Sequence, residues 1–206
     1  MARLKKVVSA SEVAELYVRR SQSQAHTPSR NFSFFYPASF ENDQVTRRPN
    51  TLHLFENLYS YSTIVATRCV FPNPTKTPVM FITQYRYSVT TSRQLRELNV
   101  ALKKSQVNVA AIYVPGDVEF TAINFEHGLL DMWEQLIYNA REMWGKSLRA
   151  RSRYDIYIHE GTDFVNNANL ILHHFSDRIS VPSATLEDIE DTHRFYKAQL
   201  KLRGVK

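Results

Sequence analysis

A chain of 206 residues carries 26 Lys and Arg against 20 Asp and Glu, a net charge of +6, and 43% of it is hydrophobic, the composition of a globular protein with a core. One cysteine, Cys69, excludes an internal disulfide framework, and five glycines with no GxGxxG or GxxxxGK spacing exclude the glycine-rich phosphate loops. The longest apolar run, 109–114, is far short of the roughly 20 residues of a membrane helix, and the basic start at 1–6 leads into Ser9, Ala10, Ser11 and Glu12, not an apolar signal core. A lone thiol and no leader point to the cytoplasm and to no membrane partner.

In chain order, Ser9 and Glu12 form a capping box opening a helix over 9–20, with Val13, Leu16 and Tyr17 as its apolar stripe. Residues 21–30 are polar and read as a loop. Phe32, Phe34 and Tyr36 alternate with Ser33 and Phe35, the pattern of a strand ended by Pro37. Residues 40–50, with Arg47, Arg48 and Pro49, read as irregular. The first 50 residues are thus expected to be a helix and an extended arm ahead of a main domain over 51–206.

That main domain opens on a hairpin-like pair, 61–71 and 79–87, both rich in β-branched and aromatic residues and separated by a proline-bracketed loop. Thr91 and Gln94 suggest a second capping box and a helix over 92–104, with Leu95, Leu98 and Leu102 on one face. The near-continuous apolar run at 107–114 predicts a central strand buried on both sides. After the turn at Pro115 and Gly116, 118–123 is expected to pair back. Asn124 then caps a long helix reaching about 149, whose Phe125, Leu129, Trp133, Leu136, Ala140 and Trp144 recur at helical spacing. Tyr154, Ile156 and Ile158 alternate, predicting a strand over 154–159. Thr162 would cap a helix through Phe164, Ala168, Ile171, Leu172 and Phe175. A last helix over 184–203 carries Leu186, Ile189, Tyr196 and Leu200. The sum is an α+β fold, a mixed or antiparallel sheet in ββα-ββα-βα-α order packed by helices, with a helical N-terminal extension.

Charge is distributed in blocks. Residues 76–104 hold Lys76, Arg86, Arg93, Arg96, Lys103 and Lys104 against Glu97; residues 105–140 hold five acids and no Lys or Arg; residues 141–153 hold Arg141, Lys146, Arg149, Arg151 and Arg153 against Glu142. Such blocks steer an anionic partner if they remain apart in space, and cancel if they mix. The first block supplies a candidate nucleic-acid surface: Arg86, Arg93, Arg96 and Lys103 for phosphates, Tyr85 and Tyr87 for stacking, and helix amides after Ser92 as an anion site. Lys146, Arg149, Arg151 and Arg153 form a second cluster. Both have plain structural readings, since Tyr85 and Tyr87 share a strand face and cations favour a helix C-terminus.

No catalytic residue, metal set or cofactor motif stands out. His127, Asp131 and Glu134 share a helix face, but it lies opposite the apolar stripe. His173 and His174, adjacent on a helix, diverge by about 100°. His159 and Glu160 end the expected strand, and Cys69 lacks a partner motif. Three functional classes stay open: a non-enzymatic protein binding a DNA or RNA backbone, a structural protein that docks on other proteins or self-assembles, and an enzyme without a recognisable motif.

The segment Tyr87, Ser88, Val89, Thr90, Thr91, Ser92, Arg93, Gln94, following Thr63, Ile64, Val65 and Ala66, resembles a short pattern in small uncharacterised bacteriophage proteins. The resemblance covers about 55–110 and brings no active-site residue. It implies a viral protein made in the host cytoplasm and engaged in nucleic-acid handling or virion assembly.

Overall fold

The computed structural model describes residues 8–21, 24–35, 55–69, 73–85, 88–120, 124–150 and 152–202. Its elements form an α+β fold of five helices and a six-stranded mixed sheet. The strands follow sequence order across the sheet, and the first four pairings are antiparallel. Two compact units divide the chain. The first comprises Met1–Pro72, Thr77–Ala111 and Gly116–Ala122; the second comprises Asn73–Lys76, Ile112–Pro115 and Ile123–Lys206.

In the first unit, α1 (Ala10–Arg19) starts where expected. Ser9 Oγ accepts the Glu12 amide at 3.2 Å, and Arg20, at φ 50°, closes the helix by donating to the carbonyls of Leu16 and Tyr17. Val13, Ala14, Tyr17 and Val18 are buried. Part of the expected loop at 21–30 is strand β1 (Gln24–His26), which pairs with β2 (Phe32–Phe35). Only Ala25 of β1 is buried, so no alternation announced it; backbone pairing, including Val8 N–H to the His26 carbonyl at 3.0 Å, holds it.

The chain returns as β3 (Phe55–Ser60) and β4 (Thr63–Cys69), joined by a tight turn with Tyr61 at φ 56°. Strand β3 had escaped the sequence reading, whose pair began at 61. Its buried positions are Glu56, Leu58 and Ser60, so its inner face is two-thirds polar and shows no hydrophobic alternation. β4 pairs with β5 (Val79–Thr83) in the register Ala66↔Ile82 and Cys69↔Val79, the hairpin-like pair expected, with a shorter second strand. Every residue of β5 is buried.

Helix α2 (Val89–Lys104) begins at Val89, not 92, because Ser88 is the N-cap: its Oγ accepts the Thr91 amide at 3.1 Å. The expected capping pair turns inward instead, with Thr91 and Gln94 buried beside Leu98 and Ala101. α2 lies against α1. β6 (Ala110–Val114) ends the sheet, so it is not the central strand expected. Ile112 and Val114 are buried, but residues 107–109 lead in from α2 and Val107 is 42% exposed. The doubly buried strand is β5. An apolar run signals burial, not a strand's rank in the sheet.

The return strand expected at 118–123 is not formed over its described part, 118–120. Val118 and Phe120 are nonetheless buried. Thr67 Oγ1 donates to the Val118 carbonyl at 2.5 Å, and Phe120 packs on Phe55 and Phe81 at 5.6 and 4.9 Å. The alternation there marks an extended segment fixed by side chains, not by a backbone ladder.

The second unit is helical. α3 (Phe125–Arg149) buries Leu129, Trp133, Leu136, Ala140 and Trp144, the stripe expected, and packs mainly along α4 (Tyr154–His174). Asn124 precedes α3 without a side-chain capping bond. The strand expected over 154–159 is instead the first turn and a half of α4. Tyr154, Ile156 and Ile158 are half-buried or exposed, while the residues that bury, Gly161, Ala168 and Ile171, follow helical spacing. Thr162, expected as a cap, sits mid-helix and returns its hydroxyl to the Ile158 carbonyl at 2.8 Å. From 61 onward the order is therefore ββα-βα-α-α. α5 (Ser183–Leu202) follows Pro182 and packs on α3, with Ile189 buried and Leu186 and Tyr196 half-buried. Among the described residues, no helix is long and apolar enough to cross a membrane.

Candidate functional site

The outward face of α2 carries the charge. Arg93, Arg96 and Lys103 are all exposed, as are Val100 and Lys104. Residues 93, 96, 100, 103 and 104 fall within one third of the helix circumference at 100° per residue. Half-exposed Glu97 flanks them. The opposite face, with Thr91, Gln94, Leu98 and Ala101, is buried, so packing fixes which way the cations point. None of the four cations has an ion-pair partner among the described residues. On the other helices some charges are paired: Arg19 with Glu15, Arg141 with Asp188, Lys146 with Glu142, Arg194 with Glu190 and Asp191. An unmatched stripe keeps its field for an external anion.

Lys104 was not singled out in the sequence, although its place four residues after Val100 and eleven after Arg93 puts it on the same face. Tyr85, two residues beyond β5, is 56% exposed, so it is not core. Arg86 and Tyr87 lie outside the described residues. The anion site expected at the amides after Ser92 is absent: Ser92 N–H donates to the Ser88 carbonyl at 2.9 Å, inside the helix, and Thr91 N–H is taken by Ser88 Oγ. The earlier helix start moved those amides inward, and the cations alone carry the site.

The second basic cluster belongs to the other compact unit. Lys146 pairs with Glu142 at 3.1 Å, Arg149 is exposed near the end of α3, and exposed Arg153 precedes α4 in the left-handed region at φ 64°. Arg151 lies outside the described residues.

Among the described residues, groups with catalytic potential do not converge. His127, Asp131 and Glu134 are exposed on α3, and His159 and Glu160 are exposed on α4, not at a strand end. Among the described residues no three His, Cys, Asp or Glu gather as metal ligands. His173 is exposed, while its neighbour His174 is buried with Nδ1 2.5 Å from Thr75 Oγ1. Burial and the nearby His173 hold the His174 pKa below the usual imidazole value. Thr75 Oγ1 also donates to Asn73 Oδ1, so this hydroxyl pins the 73–76 turn. Cys69 is buried.

Two polar constellations were missed by sequence reading. In the first, Glu56 on β3 is 2% exposed and ion-pairs with Arg20 at the end of α1 and, at 3.7 Å, with Arg68 on β4. Arg68 also donates to the Val18 carbonyl at 2.6 Å and lies 5.5 Å from the centre of the Tyr17 ring, whose hydroxyl donates to the Glu56 carbonyl at 2.7 Å. Burial pushes the Tyr17 hydroxyl far above its ordinary pKa, and it raises that of Glu56 against the two guanidiniums. The cluster ties α1 to the sheet. In the second, Ser60 Oγ lies 2.9 Å and Ser88 Oγ 3.0 Å from Thr91 Oγ1, and Gln94 Nε2 donates to the Asn31 carbonyl at 3.1 Å. This network fixes the start of α2 to the end of β3.

Comparison of the chain with known protein families, curated proteins and solved structures finds no match.

Proposed function

We propose that the protein is a non-enzymatic nucleic-acid-binding protein that contacts a phosphate backbone through the outward face of α2. Arg93, Arg96, Lys103 and Lys104 are the contacts, and Tyr85 offers a ring face near the same helix. The observation that carries the reading is the exposure of four cations, without an ion-pair partner among the described residues, on one face of a helix whose other face is locked in the core. Guanidiniums and ammoniums so placed replace the counterions of a phosphate chain without first breaking internal ion pairs. The resemblance of 87–94 to bacteriophage proteins supports the same class of role, in a viral protein acting in its host's cytoplasm.

The test is fluorescence anisotropy with labelled oligonucleotides across a salt series. Four phosphate contacts give a log–log salt slope of about −3 to −4, and replacing Arg93 and Arg96 together with Ala flattens it by about 2 units. Both residues are exposed, so the circular dichroism spectrum stays that of the parent. Binding no tighter than about 100 μM at 50 mM salt, weaker than ordinary non-specific binders, refutes the proposal. The basic face would then be a docking surface for an acidic protein.

A further inference from the structure

Within that reading, we infer that the partner of α2 is B-form duplex DNA, with the helix seated across the major groove and its two ends on opposite phosphate strands. The inference rests on how charge is spaced along the stripe. Arg93 and Arg96 lie in the first half of α2, Lys103 and Lys104 in its last turn, and the exposed residue between them is Val100. The seven residues from Arg96 to Lys103 rise roughly 10 Å at 1.5 Å per residue. The major groove of B-form DNA is about 12 Å wide and admits an α-helix, with phosphates along both rims. Two pairs of cations that far apart, with Val100 between them on the stripe and half-exposed Glu97 at its edge, match two rims and a floor. Long side chains cover the small remaining difference in span, and the Val100 methyls meet the base edges.

The other nucleic acids fit less well. A single strand held without sequence preference uses aromatic rings set along a basic track, and α2 contains no Phe, Tyr or Trp. Tyr85 supplies one ring before the helix, not a series along it. The major groove of A-form RNA is deep and narrow and does not admit side chains to its floor.

The experiment compares the full chain with a 20-base-pair DNA duplex, either of its single strands and an RNA duplex of the same sequence, by anisotropy at 50–200 mM salt. The expected result is binding of the DNA duplex at least tenfold tighter than either alternative. Replacing Lys103 and Lys104 with Ala should flatten the duplex salt slope by about 2 units, as much as replacing the two arginines. Val100→Glu, which sets a carboxylate toward the floor of the groove, should weaken duplex binding more than tenfold with circular dichroism unchanged. Single-strand or RNA-duplex binding equal to or tighter than that of the DNA duplex overturns the groove seating and leaves the phosphate reading standing. Full duplex affinity in the lysine variant or in folded Val100→Glu overturns it too. Failure to bind any of the nucleic acids overturns the underlying reading as well.

Discussion

Two glycines in the helical unit make opposite predictions from the same substitution. Gly161, buried in α4, faces Trp144 on α3: a Cβ there would stand 2.5 Å from Trp144 Nε1, 2.6 Å from its Cδ1 and 3.1 Å from the Ala140 carbonyl oxygen. Trp144 is itself fully buried and stacked on His193 at 4.7 Å, so its indole has no open space to enter. Overpacking of this kind costs about 1–3 kcal/mol, while alanine in a helix interior recovers up to about 1 kcal/mol relative to glycine. Gly161→Ala should therefore destabilise by about 1–2 kcal/mol. Gly145 lies within α3, and a Cβ there meets only the Tyr196 hydroxyl at 3.9 Å, an ordinary contact. Gly145→Ala keeps the propensity gain and should stabilise by about 0.5–1 kcal/mol. Urea unfolding followed by tryptophan fluorescence measures both, with the change read at constant m-value. A Gly161→Ala variant as stable as the parent, or equal effects at the two sites, would refute the close approach of α3 and α4 at Trp144.

Two further outcomes follow from buried ionisable groups. Removing the Glu56 carboxylate with Glu56→Ala leaves the buried Arg68 guanidinium without its counter-ion, and should cost about 3–5 kcal/mol in the same unfolding assay; a loss under 1 kcal/mol would show that the cluster is not closed to water. Burial, and secondarily Lys197, depress the His193 pKa below its unfolded value of 6.5, so on acidification the unfolded chain takes up that proton first. Trp144 faces the ring from α3, Thr162 from α4, and Lys197 lies on α5 itself. Relative to His193→Phe, which keeps a ring on Trp144, the parent should lose stability as pH falls from about 6.5 through the folded pKa, and a relative gain would contradict the sign.

How much of the fold was legible depended on whether burial and chemistry agreed. The stripe of α3 was read correctly because Leu129, Trp133, Leu136 and Ala140 are apolar and buried at helical spacing. β3 was missed because its inward face carries Glu56 and Ser60, each satisfied by partners distant in sequence, Arg68 and Thr91. The start of α4 misled in the opposite sense: Tyr154, Ile156 and Ile158 alternate as strand residues do, yet Ile156 is exposed and the other two are only half-buried. Periodicity over six residues cannot separate these cases; the spacing of the next burial positions can.

The candidate site was legible as a set of residues but not as a geometry. Arg93, Arg96 and Lys103 were singled out because charge clustering is written in the chain, whereas the direction they face depends on which side of α2 packs against α1. Moving the cap from Thr91 to Ser88 removed the proposed amide site and left the cationic stripe intact, because the stripe depends on helical periodicity over 93–104 and not on the first turn. Local hydroxyls could not decide the cap from sequence, since Ser88, Thr91 and Ser92 are all competent. The choice was made by tertiary packing, as Thr91 is drawn inward by Ser60 and Gln94 by the Asn31 carbonyl. The same network that hides these polar side chains turns Arg93 and Arg96 outward, so the buried polar residues of α2 do more to define the basic face than any residue on it.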